Sequence, residues 1–459
     1  MLRILPRTVQ LPLLSRSFSY ESVSLSHVIP LPPILATPST PPPSEITVSR
    51  LKNGITIASN SCYSPISQLS IAIRAGSRYQ DEDNLGVAHF LLHNAFLTNS
   101  DRTGFRVTRE LERIGATLNS ELTRDLLVST SSFTSGYAES VLENLSAVYN
   151  GPEFRRWEVS KDRVLLDLDR LHIHFDSLAD DVMHKLAYRI GLGMPIYTPE
   201  CRAALISSED MQKYYSSRVN ADNTFVIGSG IEHKELSRLV EELFVPPVKQ
   251  VSGVDIPRYF GKGESHIRLY GEDTQAVLTA EGVSIGHDDL PKYIVLQHLL
   301  GVENVIKRGS MSCTRLGKCA TQVNGAAMSA VNINHSDTGL FGLVARAPGN
   351  QIKKLVKAGL SACREVAKNG VSSTELIASK NRAKSAVLSQ YDDLETLHNT
   401  LMLQVAMTGA VSSGREISDR IEKVSSEDVQ NVARKITIAK PNLVVTGNLV
   451  DPPYLDELI

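Results

Sequence analysis

His89-Phe90-Leu91-Leu92-His93 is the one run in this chain whose residue types and spacing suggest chemistry. Two histidines at i and i+4 on a helix project from one face, close enough for both imidazoles to hold a single zinc ion. Two histidines alone make a poor zinc site, so a third protein ligand is needed, and the competing reading is ordinary helix packing. Nothing else competes with this run. There is no glycine-rich phosphate cradle, no Ser/His/Asp arrangement and no evident haem ligand. The five cysteines are odd in number and form no Cys-x-x-Cys pair, which suits free thiols in a reducing compartment. Cys313 and Cys319 sit in a Ser/Thr/Gly-rich stretch and read as free thiols, while Lys307-Arg308 and Lys353-Lys354 read as solvated basic faces.

The elements that would position such a pair come from a chain of 459 residues, which suits two domains. Lys+Arg 48 against Asp+Glu 50 leaves a net charge of −2, which argues against a nucleic-acid partner. No run approaches the ~18 apolar residues of a membrane-spanning helix. One unit occurs twice. Ile206 to Gly230 and Val424 to Asn448 each open on Ser-Ser-Glu-Asp, where Ser207 or Ser425 can cap a helix with Asp210 or Asp428 at its third position. A polar turn and an apolar strand follow, ending at Gly228 or Gly447. The offset is 218 for the serines and 219 for the glycines, which reads as a tandem duplication. Carried forward by 218, a first strand near Ile46 lands at Glu264, where a second strand-like run begins.

Within the copies, Leu69 to Arg74 alternates apolar and polar residues as a half-buried strand does. Gln351 to Gly370 has helical periodicity and a glycine stop, and Ser372 to Glu375 is a capping box. Each half is therefore expected to be an α+β domain, a largely antiparallel sheet with helices packed on one side. The domains are placed at 46–245 and 264–459, joined by a linker at 246–263. The N-terminus carries Arg3, Arg7 and Arg16, four Ser/Thr residues and no acid before Glu21, the composition of a mitochondrial presequence. Arg16-Ser17-Phe18-Ser19 suits cleavage after residue 18. A tether follows at 19–45, with seven prolines between Pro30 and Pro43.

The residues from Asn84 to Phe96 resemble the inverted zinc-peptidase motif His-x-x-Glu-His. Leu51 to Ile55, Ala75 to Tyr79, Gly115 to Ser120 and Gly339 to Gly342 are similar to further landmarks of the pitrilysin-type family. Pro152 to Val159 and Ser336 to Gly342 resemble its core-protein branch. The family includes the mitochondrial processing peptidase and the core proteins of ubiquinol–cytochrome c reductase, respiratory complex III. The resemblance covers nearly everything after residue 45. It implies two similar α+β domains facing one another, a fold inherited from a metallopeptidase.

The motif's glutamate, the general base, is replaced here by Leu92, a loss worth roughly 10²–10⁴-fold in rate. The third zinc ligand of the family is a glutamate that falls in the window Val164 to Arg170. That window holds only Asp167 and Asp169, with His172 and His174 just beyond. His89, Leu92 and His93 are accordingly expected to be vestigial, with no catalytic residue, no metal and no cofactor. The resemblance implies a non-catalytic subunit on the matrix side of the mitochondrial inner membrane. Its partners would be core protein 1, cytochrome b, cytochrome c1 and the Rieske protein, with a retained presequence peptide as a further one. The alternatives are the substrate-binding α-subunit of the processing peptidase and an active zinc endopeptidase. Leu300 to Gly309 lacks the glycine run expected of the α-subunit's presequence loop.

Overall fold

The computed structural model describes residues 46–62, 64–171, 175–246, 257–302 and 314–458. The presequence and tether, most of the linker, Lys307-Arg308, Cys313, His172 and His174 lie outside them. The first half contains strands β1 (Ile46–Arg50), β2 (Thr56–Asn60), β3 (Ile66–Ile73), β4 (Thr117–Leu122), β5 (Leu127–Thr134) and β6 (Thr224–Ser229). Its helices are α1 (Val87–His93), α2 (Gly104–Arg113), α3 (Ala138–Asn150), α4 (Lys161–Leu171), α5 (Phe175–Tyr188), α6 (Glu200–Ala203), α7 (Ser208–Arg218) and α8 (His233–Leu243). The second half has β7 (Glu264–Arg268), β8 (Asp273–Glu281), β9 (Ala327–Asn334), β10 (Gly339–Pro348) and β11 (Asn442–Gly447). Its helices are α9 (Leu290–Leu300), α10 (Arg315–Ala320), α11 (Ile352–Asn369), α12 (Ser373–Ser389), α13 (Leu394–Thr408), α14 (Gly414–Glu422), α15 (Ser426–Ile438) and α16 (Leu455–Leu458).

The duplication is real in three dimensions. The strand orders are β1-β2-β6-β3-β5-β4 and β7-β11-β8-β10-β9, antiparallel except for the β2–β6 and β7–β11 pairs. Helices α7 and α15 both begin with a complete capping box, Ser207 with Asp210 and Ser425 with Asp428. Ser372 also caps its helix, and the Glu375 carboxylate accepts both from the Ser372 hydroxyl at 3.0 Å and from Arg315 at 3.1 Å. One equivalence differs from expectation. A strand does begin at Glu264, but its counterpart is β2, because β2 and β7 are the parallel neighbours of the strands that follow the capped helices. Strand β1 has no second copy among the described residues.

Helices were expected on one side of each sheet; they cover both. The first sheet packs one face on α1, α3, α7 and α8 through Leu69, Ile71 and Val226. Its other face, Ala58, Ala72, Phe225 and Ile227, is covered by Leu401, Met402 and Val405 of α13, a helix of the second half. Conversely α5, from the first half, lays Ala179, Met183 and Tyr188 against Val277, Leu340 and Val444 of the second sheet. Each half lends the other a helix. This is why β3 is buried on both faces beyond Ile66, where its alternation suggested a half-buried strand. Polar residues on the covered face find partners within the seam: His398 bonds Ser70 Oγ at 2.7 Å and Ser229 Oγ at 2.9 Å.

A buried ion network closes the seam. Arg78, in the 3-10 turn Ser77–Tyr79, donates to Asp125 Oδ1 at 2.5 Å and across the halves to Asp337 Oδ2 at 2.6 Å and Ser336 Oγ at 2.9 Å. His335 reaches Asp125 Oδ2 at 3.2 Å and meets His184 of α5 at 3.0 Å. Two motifs singled out in the sequence, Ala75 to Tyr79 and Ser336 to Gly342, thus grip one another. Burial alone would push the Asp125 carboxyl up; the hydrogen bond from His335 and the charge of Arg78 hold it down at about 2. A carboxyl depressed in the folded state stabilises above its unfolded value and loses that contribution as pH falls through its folded value. Asp125→Asn should therefore destabilise the chain by about 3–5 kcal/mol at neutral pH, with urea unfolding as the measure. The gap from wild type should narrow between about pH 4 and pH 2, where the wild-type carboxylate takes up its proton.

Candidate functional site

Helix α1 is held by its apolar face. Val87, Ala88, Phe90 and Leu91 are buried in the first-half core, which leaves His89 and His93 on the face toward α4. The helix starts from Gly86 at φ +91, and a Cβ there would lie 2.6 Å from Thr198, so only glycine fits. Helix α4 packs into the same core through Val164 and Leu168. Asp167, between them on that face, reaches the histidines. Its Oδ2 lies 3.1 Å from His89 Nε2 and 3.3 Å from His93 Nε2, and the two Nε2 atoms are 3.1 Å apart.

The structure thus chooses among the sequence candidates. Asp167 joins the pair, and its shorter side chain is compensated by the close approach of α4. Asp169, two residues on, is exposed on the far side of the helix. His172 and His174 lie outside the described residues. Leu92 sits on the same helix, half-buried, with no group able to take a proton. Edge strand β4 runs alongside α1.

His89, His93 and Asp167 are the one group of three among the described residues that could surround a metal ion. The donor set is right for zinc in number and kind. The environment behind His89 bears on whether its Nε2 is free for an ion. A histidine that gives Nε2 to a metal normally carries its proton on Nδ1 and donates it outward. Here the Thr198 backbone N–H donates to His89 Nδ1 at 3.2 Å. The Thr198 hydroxyl, also 3.2 Å from that nitrogen, commits its own proton to the Gly86 carbonyl. With its proton so committed, that hydroxyl can accept from Nδ1, so Thr198 partners His89 in either tautomer, while Asp167 accepts from Nε2 when the proton is there. Burial pushes the His89 imidazole down to about 4 against the opposing hydrogen bond to Asp167, so the ring is neutral near pH 7. Tyr197 packs edge-on at 5.5 Å and completes the enclosure. The three side chains bond to one another, and their donor atoms, all within 4.8 Å of each other, also have a spacing that could hold an ion.

Sequence reasoning missed Thr198 and Tyr197. They arrive on a loop 109 residues from His89, and neither residue type advertises a contact at that distance.

Comparison with known proteins gives a consistent picture. Residues 56–200 match the family model described as insulinase, peptidase family M16, and residues 205–383 match the peptidase M16 inactive domain. The chain is 30% identical over 453 residues to "Cytochrome b-c1 complex subunit 2, mitochondrial" of Rattus norvegicus, covering 97% of this chain and 100% of the relative. The mouse protein of the same name is 29% identical over 456 residues, with the same coverage. "Mitochondrial-processing peptidase subunit alpha-2" of Dictyostelium discoideum is 27% identical over 420 residues, covering 89% of this chain and 93% of that one.

The proton position is directly measurable. In long-range nitrogen–proton NMR of histidine-labelled protein, His89 should be a neutral ring carrying a single proton at neutral pH. It should become doubly protonated only near pH 4. For a vestigial cluster one equivalent of zinc should leave the His89 and His93 nitrogen shifts unchanged; a zinc-dependent shift of both Nε2 signals would overturn that reading.

Proposed function

We propose, since this chain belongs to the insulinase-type peptidase family M16, that it serves as a non-catalytic structural core subunit of mitochondrial ubiquinol–cytochrome c reductase, respiratory complex III. The observation that carries this is end-to-end similarity to proteins named as subunit 2 of that complex, with all of the relative's length covered. Its role is to support assembly and stability of the machinery that passes electrons from ubiquinol to cytochrome c.

The site supports a subunit without turnover. Leu92 stands where the family's base would be, and an isobutyl group cannot deprotonate water. No haem or quinone chemistry is asked of this chain. No helix of the described residues is long and apolar enough to cross a membrane. We place the chain on the matrix side of the inner membrane, paired with core protein 1 and resting on cytochrome b, cytochrome c1 and the Rieske protein. The outer edge of β4, beside α1, offers an extended peptide a strand to pair with, which suits a retained presequence.

The match to an α-subunit of the processing peptidase keeps a second reading open. Native-gel separation of detergent-solubilised mitochondria distinguishes the two. This chain is expected to co-migrate with cytochrome b and c haem absorbance, and the purified protein to leave presequence peptides uncut. Migration as a haem-free heterodimer of about 100 kDa, twice the size of one such subunit, would favour the peptidase.

A further inference from the structure

The duplication sets two equivalent layers side by side, and they are filled differently. In the first half the space between β3/β5 and helices α3/α7 keeps only about 50 Å³ open. Aromatic rings occupy it: Tyr149 lies against Phe244 at 5.1 Å, and Phe154 meets Tyr215 edge-on at 5.8 Å. In the second half the corresponding space lies between β8/β10 and α11/α15. There it opens to a cavity of about 180 Å³ walled by Leu278, Phe341, Leu343, Leu360 and Ile436. An unfilled apolar space forfeits the dispersion contacts of its walls. A dry aliphatic cavity of about 150 Å³ is already enough to take up benzene.

The mouth is cationic. Lys262, Lys440 and Arg364 line it, and no carboxylate does. The Lys262 N–H donates to the Pro441 carbonyl at 3.0 Å, which sets the two lysines beside one another. Lys262 is held there at φ +70, a left-handed conformation unusual for a residue with a side chain. Both lysines are exposed, and neither ammonium has an ion-pair partner among the described residues. Arg364 spends one N–H on the Leu458 carbonyl, at 2.7 Å. The Cys363 thiol, pushed up to about 12 by burial, stays protonated and adds to the apolar wall.

We propose that this cavity binds a single-chain amphipathic anion, a fatty carboxylate whose tail lies between Leu278 and Leu360 and whose head meets Lys262 and Lys440. The volume admits one chain and not a two-chain lipid. The unpaired lysines supply the charge that a carboxylate lacks a partner for elsewhere in the walls. The site shares no residue with the His89 cluster.

Equilibrium dialysis of the purified full chain against radiolabelled decanoate, in detergent-free buffer, tests it. Saturable binding of one decanoate is expected. The double variant Lys262→Glu/Lys440→Glu, both exposed positions, should weaken decanoate by about tenfold or more while leaving decanol within about twofold. Leu360→Trp, which fills the cavity, should abolish both. Should that variant fail to fold, modification of Cys363 in the unaltered chain, followed by peptide mass mapping, decides: decanoate should slow it. Absence of decanoate binding at about 1 mM overturns the proposal. So does indifference to the charge reversal, or a Cys363 modification rate unchanged by decanoate.

Discussion

A β-sheet has two faces, and neither half of this chain can cover both of its own. Alternation along β3 sends Leu69, Ile71 and Ile73 into one core and Ala72 into another, and only a helix from the other half covers the second. Small residues on that face, Ala58 and Ala72, let α13 approach closely, while α5 does the reciprocal service for the second sheet. Burying each large aliphatic chain in such a seam is worth about 1.5–3 kcal/mol, so several together bind the halves firmly. The seam could have formed with apolar residues alone. The Arg78 network adds orientation, because its bidentate geometry is met only when the turn at Ser336 and Asp337 arrives from one direction.

That arrangement explains which parts of the sequence were legible. The repeat was readable because capping is local: Ser207 with Asp210 and Ser425 with Asp428 sit three residues apart, and their geometry follows from backbone position. Helix α11 was readable from its periodicity and Gly370 for the same reason. The exchange of α5 and α13 was not readable. Nothing in either helix says which sheet it covers, and a strand buried on both faces by an alanine and an isoleucine looks like one buried on a single face. The equivalence of β2 with β7 was missed because pairing partners, not position in the copy, define a strand's place.

The site divides in the same way. His89 and His93 were legible because i and i+4 is a property of one helix. Asp167 was visible as one candidate of two in its window, and only the packing of α4 on α1 brings it to the histidines. Thr198 was beyond sequence reasoning, although it supplies the partners on the far side of His89.

This matters for how two histidines on one helix of a peptidase-family chain should be interpreted. His89 is fully buried, and a buried imidazole requires partners for both nitrogens; here they are Thr198 on one side and Asp167 on the other. Deleting any one partner would strand a polar group, at a cost of about 1–3 kcal/mol. The cluster therefore persists for structural reasons whether or not an ion ever visits it. Leu92 is under no such constraint: it faces partly outward on the same helix, and changing it disturbs no hydrogen bond. His89 is thus tied into the fold through both ring nitrogens, whereas Leu92 has no polar atom in its side chain, so the same helix carries one position that packing and hydrogen bonding constrain tightly and one that they constrain little.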